Sequence, residues 1–128
     1  MAFPINNGRP ARGFTLIELL VVMSIIGALM ALVSPSYFKN NDRARETVLR
    51  HNLAVLRQAM DDYRADHGAN PSALQDLVSN RYLRELPLDP ILGQRDGWQT
   101  RSAEDGGIGE VSSGAKGAGL DGSDYGSW

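Results

Sequence analysis

The chain has 128 residues, room for about one domain, and its formal net charge of −2 excludes the global basic field of a nucleic-acid binder. Hydrophobic residues make up 42%, which excludes bulk disorder. With no cysteine there is no disulfide framework, no Cys-ligated zinc or iron–sulfur site and no thiol nucleophile, and the redox compartment stays open.

The first element is an apolar block, Phe14 to Val33, whose only ionisable side chain is Glu18. Its 20 residues span ~30 Å as a helix, the thickness of one hydrocarbon core. A bilayer forces internal backbone hydrogen bonding, so the block is expected to be helical despite its Ile and Val. Arg9 and Arg12 precede it, whereas Lys39, Arg43, Arg45 and Arg50 follow it. Counting cations alone would put the C-terminal side in the cytoplasm, but the downstream cations are mixed with Asp42 and Glu46. A secretory signal is the plain alternative, though the block is long for one and Ser34-Pro35 is a poor cleavage site.

Glu18 carries the most information. A carboxylate in an apolar helix costs several kcal/mol unless it is neutral, paired or near the interface. It lies early enough in the block to snorkel. The other reading needs a cation, and a cut between Gly13 and Phe14 would supply one as the new α-ammonium of Phe14. In a parallel helical array that ammonium would meet Glu18 of a neighbouring copy.

Arg12-Gly13-Phe14-Thr15-Leu16-Ile17-Glu18-Leu19-Leu20-Val21-Val22 resembles the class III signal of type IV pilins and type II secretion pseudopilins. The resemblance implies a leader, residues 1–13, that a membrane aspartyl prepilin peptidase cuts off after Gly13 before methylating Phe14. It also implies a cytoplasmic N-terminus, a transmembrane and filament-core helix over 14–36, and a periplasmic domain over 37–128. This orientation overrides the cation count. Glu18, Phe14 and Pro35 become the assembly residues. In that family a proline at the place of Pro35 is common and the helix continues past it; by residue chemistry alone, the helix would end or kink there.

Over 37–67 the pattern becomes amphipathic. Leu49, Leu53, Leu56, Met60 and Tyr63 recur at helical spacing, with Arg43, Arg50, Arg57, Asp61 and Arg64 largely off that face. Arg57 and Asp61 stand at i,i+4 and can pair. His67-Gly68 reads as the stop. His51 and His67 are too far apart on a helix to form a metal pair. One helix from Phe14 to His67 would have 54 residues, too long for this chain to bury in its own core. Its apolar half therefore needs lipid or other copies.

Over 68–128 the expectation is a short helix, Ala73 to Val78, capped by Ser72. Three short antiparallel strands follow: one from the alternating Leu83, Leu86 and Leu88, then Trp98–Arg101 and Ile108–Ser112. The glycine-rich stretch from Gly114 to Trp128 is expected to be loop, with Trp128 as its staple. The predicted class is α+β, a long N-terminal helix packed on a small antiparallel sheet. Met60 to Pro71 resembles the Tyr–Asp–Gly–Pro passage of the major, G-type pseudopilin. Leu86-Pro87-Leu88-Asp89-Pro90 with Gly97-Trp98, then Val111 to Ala115 and Trp128, resemble later segments of that family. The resemblance implies one calcium ion in the last loop, with Asp121, Ser123 and Asp124 among its ligands. Lys116, however, stands where the family carries an acidic residue, and a polar loop needing no metal is the alternative.

No nucleophile–base pair, phosphate loop or metal cluster is visible, so the chain is not expected to be an enzyme. The resemblance implies a structural subunit of an inner-membrane-anchored periplasmic filament that drives folded proteins through the outer membrane. Its partners would be further copies of itself, minor pseudopilins, the prepilin peptidase, an inner-membrane platform with its assembly ATPase, and membrane lipid before assembly; nucleic acid is not expected. A surface type IV pilus subunit for adhesion, motility or DNA uptake, and a membrane-anchored monomeric binding module, are the other readings.

Overall fold

The computed structural model describes Phe3, Gly8 and residues 13–128. Most of the expected leader, including Arg9 and Arg12, lies outside the described residues. The chain divides into two compact units, residues 1–38 and 39–128.

Helix α1, Leu16–His67, contains Pro35 without a break. Thr15 and Glu18 start it as a capping box. The Glu18 amide donates to Thr15 Oγ1 at 3.2 Å, and the Thr15 amide donates to Glu18 Oε2 at 3.4 Å. Gly68 ends it at φ +70°, with its amide donating to the Arg64 carbonyl at 2.8 Å. Among residues 14–38 the large apolar side chains are exposed along their whole run.

In the second unit, α1 turns Leu49, Leu53, Leu56, Ala59 and Met60 inward, and Tyr63 packs at the edge. The predicted apolar face is thus the observed one. It forms a single core with Leu74, Leu77, Trp98, Ile108 and Val111. Each fully buried leucine contributes about 2 kcal/mol by removal from water.

Helix α2 is Gln75–Ser79, two residues shorter at its start than predicted. Ser72 does not cap it. Instead the Asp76 carboxylate accepts the amides of Ser72 and Ala73 at 3.0 and 3.2 Å, fixing the turn before the helix.

The sheet has two strands among the described residues, β1 Gln99–Ser102 and β2 Ile108–Ser112, paired antiparallel. Gln99 faces Ser112, and Arg101 faces Glu110; the register then slips so that Ser102 faces Ile108. The slip is a bulge at Gly109, where a Cβ would lie 2.9 Å from that of Ala103. It breaks the two-residue alternation, so Ile108 and Val111, three apart, both reach the core.

The third strand expected over Leu83–Leu88 does not form. Its carbonyls are taken by side chains rather than by a neighbouring strand. Arg95 donates to the Leu86 carbonyl at 2.8 Å, the Trp98 indole to Pro87 at 2.9 Å, and Asn52 of α1 to Leu88 at 2.6 Å. Pro87 has no amide to offer a ladder. The segment ends at Asp89, which is fully buried. Its Oδ1 accepts the amides of Ile91 and Leu92 at 2.9 and 3.2 Å, and its Oδ2 accepts the Ser113 hydroxyl at 2.5 Å. That carboxylate ties the turn over 89–94 to the end of β2.

The last stretch is irregular, as expected, with a 3₁₀ turn at Tyr125–Ser127 and an isolated bridge between Ala118 and Asp124.

Candidate functional site

Gly13, Phe14, Thr15 and Glu18 line one shallow cavity at the head of α1. Among the described residues, a Cβ on Gly13 would meet nothing within 4 Å. Phe14 is 88% exposed. The structure therefore brings together the expected cleavage position, methylation position and acidic assembly residue. Pro35 stands apart from them, 17 residues beyond Glu18 on the same helix.

Thr15 is not among the site residues expected from the sequence. Its signal was there, because Thr-x-x-Glu before an apolar run is a capping box. The box gives Glu18 a local role: its carboxylate sits where the unpaired amides and dipole of a helix N-terminus favour negative charge. Further along, Ser24 returns its hydroxyl to the Leu20 carbonyl at 2.7 Å, so it presents no free donor to an apolar surrounding. Among the described residues one helix, α1, is long and apolar enough to cross a membrane, and none of its apolar window is buried.

The C-terminal loop is the second site that the sequence singled out. Asp121 and Ser123 are together: Asp121 Oδ1 accepts the Ser123 amide at 3.0 Å and the Ser123 hydroxyl at 2.6 Å. These bonds, then the Arg50 guanidinium 3.5 Å from Oδ2, hold the Asp121 carboxyl below its ordinary range. Asp124 is exposed, and its main-chain oxygen accepts the Ser127 amide and hydroxyl at 3.0 and 2.6 Å. Trp128 packs against the core and donates from its indole to Ser123 Oγ at 2.7 Å, fulfilling the expected staple.

Three α1 side chains reach this loop, and none was read from the sequence as doing so. Glu46 Oε1 accepts the Leu120 amide at 2.7 Å and the Tyr125 hydroxyl at 3.2 Å. Desolvation, then that Glu46 bond, raises the Tyr125 pKa. The Arg50 guanidinium carbon sits 3.9 Å from the centre of the Trp128 ring. Arg57 donates to the main-chain oxygens of Val111, at 3.1 Å, and of Trp128. The Arg57–Asp61 pair that spacing allowed is thus replaced by longer-range partners.

A family model described as the prokaryotic N-terminal methylation motif matches residues 8–34. The type II secretion system core protein G of Pseudomonas aeruginosa is 36% identical over 98 residues, covering 64% of this chain and 69% of that protein. The protein of the same name from Klebsiella michiganensis is 32% identical over 133 aligned positions, covering 91% of this chain and 92% of the relative. That from Escherichia coli is 33% identical over 95 residues, covering 62% and 66%. No solved structure gives a match. The capped apolar helix, the methylation motif and relatives matched over two thirds to nine tenths of their length agree, and the chain belongs to the family of the type II secretion system core protein G, the major pseudopilins.

Proposed function

We propose that this chain is cut after Gly13, methylated at Phe14 and polymerised through the helix over 14–36 into the periplasmic pseudopilus of a type II secretion system. Its role is structural rather than catalytic. The observation that carries this reading is the division of apolar surface. Residues 49–111 supply a complete core for the second unit, while the large apolar side chains of residues 14–38 are exposed. Lipid covers that helix before assembly, and copies of the same helix cover it afterwards.

The chemistry at the head of α1 supports a sequence of states. In the uncut chain the Phe14 nitrogen is an uncharged amide, and the Glu18 carboxylate is held by the Thr15 amide. Hydrolysis of the Gly13–Phe14 bond turns that nitrogen into an amine whose ordinary pKa is about 7.7–8, so it is mostly protonated at pH 7. Methylation keeps the charge. The ammonium then has a carboxylate to meet on a neighbouring helix, and the pair is worth more in an apolar surrounding than in water. Glu18 thereby sets the axial position of each incoming subunit. The prepilin peptidase is the processing partner. An inner-membrane platform with its ATPase, and minor pseudopilins, are the assembly partners. Growth of the filament pushes folded cargo through the outer membrane.

The test is the intact mass and N-terminal peptide map of the protein from its native membrane. A chain beginning at N-methyl-Phe14 is expected. A chain still starting near Met1 would be an uncleaved anchor, and cleavage after Pro35 would leave an exported domain; either overturns the proposal. Glu18→Ala is expected to be cut normally, to fold normally and to assemble filaments at least tenfold more slowly, because lost alignment of a charge pair in an apolar surrounding is worth more than 1.4 kcal/mol. Normal assembly of that variant would remove the pairing role.

A further inference from the structure

The loop over 114–128 does not offer a hard cation what it needs. Calcium takes six to eight oxygens, several of them anionic. Here Asp121 already accepts two bonds from Ser123 and faces Arg50. The carbonyls are turned to donors within the loop: Ser123 to the Gly119 amide at 2.8 Å, Gly119 to Gly122 at 3.0 Å, and Gly117 to Tyr125 at 3.2 Å. Among the described residues no three acidic or histidine side chains converge on a metal position. Lys116 adds a cation in the same stretch.

The same loop is nevertheless closed, by a ring of side chains. Arg50 faces Asp121 and lies over Trp128; Asp121 holds Ser123; Ser123 accepts the Trp128 indole. Glu46 and Arg57, four residues before and seven after Arg50, lie on the same side of α1 and hold the loop above and below that ring. The Arg50–Asp121 pair is more than half exposed and is worth little alone. Its effect comes from sharing one guanidinium between a carboxylate and an aromatic face.

We propose that in this chain the Arg50 guanidinium takes the place of a metal ion, neutralising Asp121 and fastening the C-terminal loop to α1, so that the loop is closed without calcium. This closure belongs to the isolated protein and does not depend on filament assembly.

The experiment uses the full chain in detergent, with calcium chloride or EGTA as the only variable, then adds Arg50→Ala and the milder Arg50→Gln. Thermal melting is expected to be the same in calcium and in EGTA. Trypsin cleavage after Lys116, read by mass spectrometry, is expected to be slow in both and roughly tenfold faster in either variant, because the loop opens more often. A loop that binds calcium at a hundred times its Kd would instead raise Tm by about 10 °C or more. That rise, or a stoichiometric calcium signal in titration calorimetry lost in Asp121→Ala, would overturn the proposal. So would unchanged cleavage at Lys116 in Arg50→Gln. The comparison of calcium with EGTA needs no substitution and remains decisive if both variants unfold.

Discussion

At the scale of single residues, Asp89 and Tyr82 show how one side chain can hold a segment that has no secondary structure. Asp89 is a buried carboxylate whose two oxygens serve Ile91, Leu92 and Ser113. Asp89→Ala would leave the buried Ser113 hydroxyl without its acceptor and release the Ile91 and Leu92 amides, and its expected cost is about 2 kcal/mol in urea unfolding. Asp89→Asn, which keeps one carbonyl oxygen, is expected to cost less. Tyr82 works differently. Its hydroxyl donates to Asp66 at 2.6 Å, and that bond, ahead of desolvation, pushes its pKa from 10.0 up to about 12. The folded chain therefore holds the Tyr82 proton more tightly than the unfolded chain does. Its contribution is fully present below pH 10 and is lost as the pH rises through about 12. Unfolding curves between pH 9 and 12 are expected to lose part of their downward slope in Tyr82→Phe. Asp121 carries the opposite sign: its lowered pKa gives a contribution present at neutral pH and lost in strong acid. Residues such as Leu49, Leu53 and Leu56 were legible because helical periodicity is local. Asp89 was legible only as part of a resembling segment, because its partner Ser113 is 24 residues away and no pattern announces the bond.

At the scale of elements, the long helix was readable and the sheet only partly so. The start, face and stop of α1 depend on neighbours within a few residues, and the glycine stop was read correctly for that reason. Gly68 holds φ +70° with open space around its missing Cβ, so the strain of a side chain there is conformational rather than steric. Gly68→Ala is expected to destabilise by about 1 kcal/mol, read as a lower denaturation midpoint at unchanged slope. Gly114 differs: a Cβ there would sit 2.1 Å from the Gly97 carbonyl oxygen, so any side chain must push two segments apart. Leu56→Ala, on the buried face, is expected to cost about 2–5 kcal/mol. The missing third strand has the same lesson in reverse. Alternation over Leu83–Leu88 does not describe the packed surface: Leu83 and Leu86, three apart, pack on the core, whereas Leu88 is exposed. A strand also needs a partner for its backbone, and Asn52, Arg95 and Trp98 reached those carbonyls first. The bulge at Gly109 was equally hidden, because it is defined by register against β1 rather than by the residues of β2 alone.

At the scale of the whole molecule, the two compact units have opposite relations to their surroundings. Every buried hydrophobic side chain among the described residues lies at or beyond Leu49, whereas Phe14, Leu16 and their successors up to Phe38 are exposed. A bilayer or a bundle of identical helices must cover the second group, and the domain does not need them. The 90-residue piece Lys39–Trp128 contains the whole core, both strands and the clamp of Glu46, Arg50 and Arg57. Expressed alone, it is expected to be soluble without detergent, monomeric by sedimentation, and to melt in one cooperative transition. The full chain is expected to need detergent and, once cut at Gly13, to form filaments that the piece cannot join. A piece that shows no cooperative melting would mean that residues before Lys39 contribute to the stability of the domain. A piece that joins filaments would mean that contacts between domains suffice for assembly. The second result would move the assembly chemistry away from Phe14 and Glu18. The expected result assigns folding to one unit and polymerisation to the other, which lets a subunit fold completely while it waits in the membrane.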